Sequence, residues 1–146
     1  MDLTTELRRA ILISLKADSA VTALVPATSI YGQSAPATPP WPFIKAGTPI
    51  DGPQDASCQR GESIRWTLHV FAGSRKQGGA EVETVEDHIG RIMAAIKKNL
   101  HRQTLTFTDG KATLRYINSQ RLIDGDASQL HGIIEFRAKV MTGWAA

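Results

Sequence analysis

A single cysteine, Cys58, stands in the 146 residues of this chain, so no disulfide can form within it. That suits a reducing compartment. Aromatic residues are sparse, at 6%. No apolar run approaches the roughly 18 residues that a membrane-spanning helix needs, and no membrane partner is expected. The opening Met1-Asp2-Leu3-Thr4-Thr5-Glu6 lacks the basic stretch of a signal peptide. The expectation is a protein made in the cytosol. Internal repeats and low-complexity tails are missing as well.

Catalytic and metal-binding patterns are equally scarce. The four histidines are His69, His88, His101 and His131, and none pairs at a metal-ligand spacing such as i, i+4. His69 and His131 fall on the polar faces of predicted strands and can meet across a sheet, but two ligands do not make a zinc site. Ser57-Cys58 has no neighbouring base and no helix start to activate a thiol. Glu81, Glu83, Glu86 and Asp87 fan over a wide arc at helical spacing rather than converging on an ion. Asp124-Gly125-Asp126 resembles a fragment of a calcium loop without its later ligands. The segment from Gly73 to Gly79 lacks the Gly-Lys-Ser/Thr ending of a phosphate loop. No cofactor, metal or catalytic residue is expected.

The net charge of +3 is mildly basic. Nucleic-acid binders cluster their cations into a stripe. Here lysine and arginine are scattered, with small groups at Arg8-Arg9, Arg75-Lys76 and Lys97-Lys98. A solvated basic surface is the simpler account.

What is present is a mixture of two periods. The length suits one domain, residues 1–146. Leu3, Leu7, Ile11 and Leu15 repeat every four residues and form one stripe of a helix, with Asp2 at its start as a cap. A short turn from Ser19 to Leu24 ends at Val25-Pro26. From Ala80 to Leu100 the apolar residues Val82, Val85, Ile89, Ile92, Met93, Ile96 and Leu100 again keep helical spacing, with acids at the start and Lys97-Lys98 at the end. Ser63 to Ala72 alternates instead, with Ile64, Trp66, Leu68 and Val70 on one face and Arg65, Thr67 and His69 on the other. Gln103 to Thr108, the turn Asp109-Gly110 and Lys111 to Ile123 predict a hairpin whose alternation slips near Ile117-Asn118, as at a bulge. Leu130 to Met141 is the last strand, with Ile134, Phe136, Ala138 and Val140 inward and Glu135, Arg137 and Lys139 outward. The expected fold is α+β, with two layers. A mostly antiparallel sheet of about five strands packs against two amphipathic helices.

All seven prolines lie between Pro26 and Pro53. The segment 26–62 therefore reads as extended and irregular, apart from a short strand from Trp41 to Ala46. Thr48 to Gly61 has almost no apolar content and reads as an exposed arm, ordered by a partner rather than by the subunit itself. Of the three tryptophans, Trp66 lies on the apolar face of its strand. Trp41 and Trp144 are candidates for a subunit contact.

Read together, these pieces resemble the tail-terminator or tail-completion proteins of long-tailed phages and gene transfer agents. The resemblance covers nearly the whole chain. It runs from the helix Leu7 to Ala17 and the turn after it, through Ile30-Tyr31-Gly32 and Pro40-Trp41-Pro42-Phe43-Ile44. It continues in the strand Trp66-Thr67-Leu68-His69-Val70-Phe71, the helix with Glu83, Ile89 and Ile96, and the closing Leu130-His131-Gly132-Ile133-Ile134-Glu135-Phe136-Arg137-Ala138. The resemblance implies a small virion subunit that assembles as a homo-hexameric ring on the tail tube. Such a ring halts polymerisation of the major tail tube protein and docks to a neck or stopper protein, and DNA passes through its lumen without specific binding. It implies no catalytic residues. Expected contact residues are Trp41, Asp51, Gln54, Asp55, Arg60, Arg65, His69, Arg137, Lys139 and Trp144. Two other classes stay open. A small ligand-binding or enzyme domain would show a buried polar cluster beneath the sheet, and a nucleic-acid-binding protein would lose affinity linearly with log salt.

Overall fold

The computed structural model describes residues 2–55, 57, 60–108 and 110–142. Helix α1 (Leu3–Ala17) buries Leu3, Leu7, Ile11 and Leu15, the stripe read from the sequence. The Asp2 carboxylate accepts from the amides of Thr4 and Thr5, which satisfies two of the free N–H groups of the first turn. One further turn, α2 (Ser19–Thr22), is capped by Asp18. A 3-10 turn (Ala27–Ser29) then leads into β1 (Ile30–Tyr31) and β2 (Phe43–Ala46).

The remaining strands are β3 (Ile50–Pro53), β4 (Gly61–Gly73), β5 (Arg75–Gln77) and β6 (Ala80–Glu83), then β7 (Thr104–Phe107), β8 (Gly110–Asp124) and β9 (Asp126–Thr142) after helix α3 (Val85–Leu100). Seven strands form one sheet in the order β1-β2-β4-β9-β8-β7, with β3 beside β2 on the same edge of β4. All its pairs are antiparallel except β1 with β2. The sheet curls as a half-barrel. The α+β class holds, but about five strands and two helices become nine strands and three α-helices among the described residues.

Three segments differ from the sequence reading. Thr48 to Gly61 is not simply an exposed arm, because β3 pairs with residues 62–65 of β4. Residues 50–53 are held through the backbone by that ladder, so they need few apolar side chains. Within 26–62, β1 and the 3-10 turn are likewise ordered, while β2 is the short strand expected from Trp41 to Ala46, beginning at Phe43. The expected helix from Ala80 starts five residues later, at Val85, and Thr84 caps it by accepting from the Asp87 amide at 3.2 Å. Val82 and Glu83 lie instead on β6, paired with β5 in a separate two-stranded ribbon. Gly78 and Gly79 form its turn with φ of +58° and +84°, a conformation that favours glycine.

The hairpin β8–β9 shows the predicted irregularity, a register shift between Tyr116 and Asn118. Asp109, in the predicted turn between β7 and β8, lies outside the described residues, as does Cys58. The core is one cluster between α1, α3 and the inner sheet face, with Ile89, Ile92 and Ile96 buried together with Leu68, Val70, Ile134 and Phe136. Trp66 is part of it. Helix α3 crosses β9 closely at Gly132, where an added Cβ would meet Met93 Sδ at 2.7 Å and Ile89 Cδ1 at 3.2 Å.

Candidate assembly surface

The outer sheet face, away from the helices, carries the polar residues that alternate with the core. Arg65 on β4 grips Glu135 on β9 through Nε–Oε1 at 3.1 Å and Nη2–Oε1 at 2.8 Å. The pair is exposed, so it adds little to stability but holds the Arg65 fork in place. Arg137 stands directly opposite Arg65, and Lys139 opposite Ser63; both are exposed. Of the ten expected contact residues, Arg65, His69, Arg137 and Lys139 therefore share this face.

Towards the β1–β2 edge the same face turns aromatic. His69 and His131 share a hydrogen bond of 2.7 Å between Nδ1 and Nε2, one ring donating and the other accepting. The other His69 nitrogen lies 3.1 Å from Thr67 Oγ1. Phe71 stacks on His131 at 4.2 Å and on Phe43 at 4.5 Å, and Trp41 closes the stack edge-on to both phenylalanines. Trp41 precedes a cis peptide bond to Pro42 and stays 39% exposed, so it is half covered by its own subunit. A cleft of about 330 Å³ opens beside the histidines, lined by Gln33, Lys45, Thr48, His69, Phe71 and His131. Burial lowers the His69 pKa first, and the charges of His131 and Lys45 lower it further. Gly47 lets β2 approach this point, since a Cβ there would run into Thr67 Oγ1 and sit 2.6 Å from His69 Nε2.

The other expected residues gather at the β3–β4 hairpin. Asp51 Oδ2 accepts from the Thr4 hydroxyl at 2.9 Å and so ties β3 to the start of α1. The Gln54 amide donates to the Gly61 carbonyl, and Asp55 Oδ1 accepts from the Gly61 amide at 3.1 Å. The Arg60 carbonyl accepts from both the amide and the hydroxyl of Thr142. These contacts are internal, so Asp51, Asp55 and Arg60 also shape the hairpin. Beside them Glu62 is pushed above its ordinary pKa, mainly by burial and then by the Asp51 and Asp2 charges. Trp144 lies outside the described residues.

The ribbon β5–β6 is fastened to α3 by Glu83, whose carboxylate meets Arg91 Nε at 2.6 Å and Arg75 Nη1 at 3.2 Å. These hydrogen bonds, that from Arg91 first, hold its pKa down to about 2. Among the described residues no group of three or more histidine, cysteine, aspartate or glutamate side chains is placed to hold a metal ion.

Sequence reasoning missed Lys45, Phe43 and Phe71 on this surface. Phe71 carried a signal: it shares the parity of Arg65, Thr67 and His69, and a large apolar side chain on a polar face calls for a cover.

A family model, tail completion protein gp17, matches residues 9–141. The chain belongs to this family. No curated protein matches the sequence significantly. Nineteen chains of solved structures do match. A chain in the virion of a native gene transfer agent particle superposes with a TM-score of 0.74 at 18% identity, over 92% of the present chain and 94% of that one. At that identity the likeness shows a shared fold.

Proposed function

We infer that this protein is a structural subunit of a phage or gene-transfer-agent tail. It forms a closed homo-hexameric ring at the head-proximal end of the tail tube, ends polymerisation there and joins the tail to the neck. The observation that carries this reading is the tail completion family match over residues 9–141. The fold shared with a chain of the gene transfer agent virion supports it, because that chain matches end to end and not as a fragment.

In this reading the chain is one domain, 1–146, with no catalytic role and no bound cofactor. It is made in the cytoplasm of the bacterial host and resides in the particle. Its partners are its own copies, the major tail tube protein and a neck or stopper protein, and DNA passes along the lumen. Trp41, half exposed beside its aromatic stack, is a contact with a neighbour, as is Trp144. The β3–β4 hairpin with Asp51, Gln54, Asp55 and Arg60 projects to a second contact. The outer face with Arg65, His69, Arg137 and Lys139 is a third polar surface. Deleting the gene tests the role. Tails of uncontrolled length, unattached to heads, are expected, whereas tails of normal length without heads would leave joining but remove termination. Native mass spectrometry of the assembled protein reads the ring size, and a mass other than six subunits would overturn the hexamer.

A further inference from the structure

The sequence scatters its lysines and arginines, and the sheet collects them. Arg115 on β8 faces Arg137 on β9, which faces Arg65 on β4, so three arginines cross the sheet in one row. In the next row Thr113, Lys139 and Ser63 align, and beyond it Lys111 faces Met141. The residues that alternate with them, Ile64, Ala112, Leu114, Ala138 and Val140, are buried, so all five cations point outward. The rows are separated by about 6.7 Å along the strands, and neighbouring strands by about 4.8 Å.

This patch is poorly neutralised. Glu135 is bound by Arg65. Lys111, Arg115, Arg137 and Lys139 make no ion pair or hydrogen bond through their side chains among the described residues. The helices with their caps are close to balanced, with five acids and six bases. Like charges placed directly opposite on neighbouring strands destabilise a sheet. The subunit thus carries a like-charge row that folding does not require, and an external polyanion would relieve it.

We propose that this face binds the phosphodiester backbone of duplex DNA without reading its bases. The side chains are those that contact phosphate: arginine and lysine, with the hydroxyls of Ser63, Thr67 and Thr113 interleaved. Contacts between proteins centre instead on buried apolar anchors. Here the exposed large apolar residues keep to the margins, Ile50 opposite Arg65 and Ile117 in the bulge beside Arg115. The binding is a property of one subunit and does not depend on ring closure.

The test is fluorescence anisotropy of the full chain with a labelled duplex of about 30 base pairs, titrated between about 50 and 200 mM NaCl. Four unpaired cations predict a log–log salt slope of about −3 to −4. Replacing Arg115→Gln and Arg137→Gln together should reduce that slope by about 2 and weaken binding at low salt by about tenfold or more. The melting temperature should stay unchanged or rise, since a repulsive row is dispersed. Replacing Lys16→Gln and Lys98→Gln on the helices should leave the slope as it was. Absence of salt-dependent binding, or equal losses in both double variants, would overturn the proposal. So would unchanged DNA affinity together with lost binding to purified tail tubes, which would assign the face to an acidic protein surface. Ring size, measured separately by native mass spectrometry, stands or falls independently.

Discussion

Two glycines, one within α3 and one on the strand beneath it, should respond to alanine with opposite signs. Gly132 sits on β9 under α3 in ordinary backbone conformation, so space alone demands glycine there. An added methyl would lie 2.7 Å from Met93 Sδ and 3.2 Å from Ile89 Cδ1, both fully buried side chains. Overpacking of this kind costs about 1–3 kcal/mol. Stiffening the unfolded chain returns about 0.4–1 kcal/mol. A net loss of about 0.5–2 kcal/mol is expected for Gly132→Ala. Gly90, inside α3, has nothing within 4 Å of its would-be Cβ. Gly90→Ala should therefore stabilise by about 0.5–1 kcal/mol through helix propensity. Urea melts give both values from the midpoint shift at constant slope. In a double-mutant cycle, Met93→Ala should cost less beside Gly132→Ala than alone, because the new methyl enters the space vacated. A coupling of about 1 kcal/mol is expected for such touching side chains. Additive effects, or a stabilising Gly132→Ala, would refute the close approach of α3 to β9.

Ile92→Ala, at a fully buried site on α3, should cost about 2–5 kcal/mol in urea melts, whereas exposed Ala94→Ser should cost about 0.5 or less. Glu83, with its pKa held down to about 2, contributes its share above the ordinary carboxylate range and loses it as pH falls towards 2. Hydrogen exchange in β5 and β6 should accelerate over that window, and Glu83→Gln should reproduce the acceleration at neutral pH. The raised pKa of Glu62 acts with the opposite sign, so its contribution is lost as pH rises above the ordinary carboxylate value. Glu62→Gln should raise the melting temperature at pH 7 and leave it little changed at acid pH. The amides of Ile50 and Gly52, which the Gln54-to-Gly61 hydrogen bond puts in phase to face β4, should exchange slowly in the free subunit, and fast exchange would restore the reading of this segment as an arm.

The parts of the fold that bury one continuous face were legible. The four-residue repeat of α1, the stripe of α3 from Val85 onward and the parity of β4 and β9 each follow from the core they line. That parity also brought His69 and His131 to one face, and the slip at Ile117 announced the bulge. The edge strand β7 was legible from its turn and alternation, but β3 and the ribbon β5–β6 were not, because their cohesion is in the backbone. Ile50-Asp51-Gly52-Pro53 reads against a strand, yet an edge tolerates proline. Val82 and Val85 lie on one helical period, which hid the end of β6, although Thr84 with Asp87 and the Gly78-Gly79 pair carried cap and turn signals. The arginine row depends on the registers of β8, β9 and β4, which no single segment specifies.

Position in the particle tests the central claim most directly. Cryo-electron microscopy of purified particles whose copy of this chain carries a small fused tag would locate it. The account predicts density for the tag in a six-fold ring where the tail tube meets the neck. Tag density at the distal tip, along the tube wall or absent from the particle would contradict it.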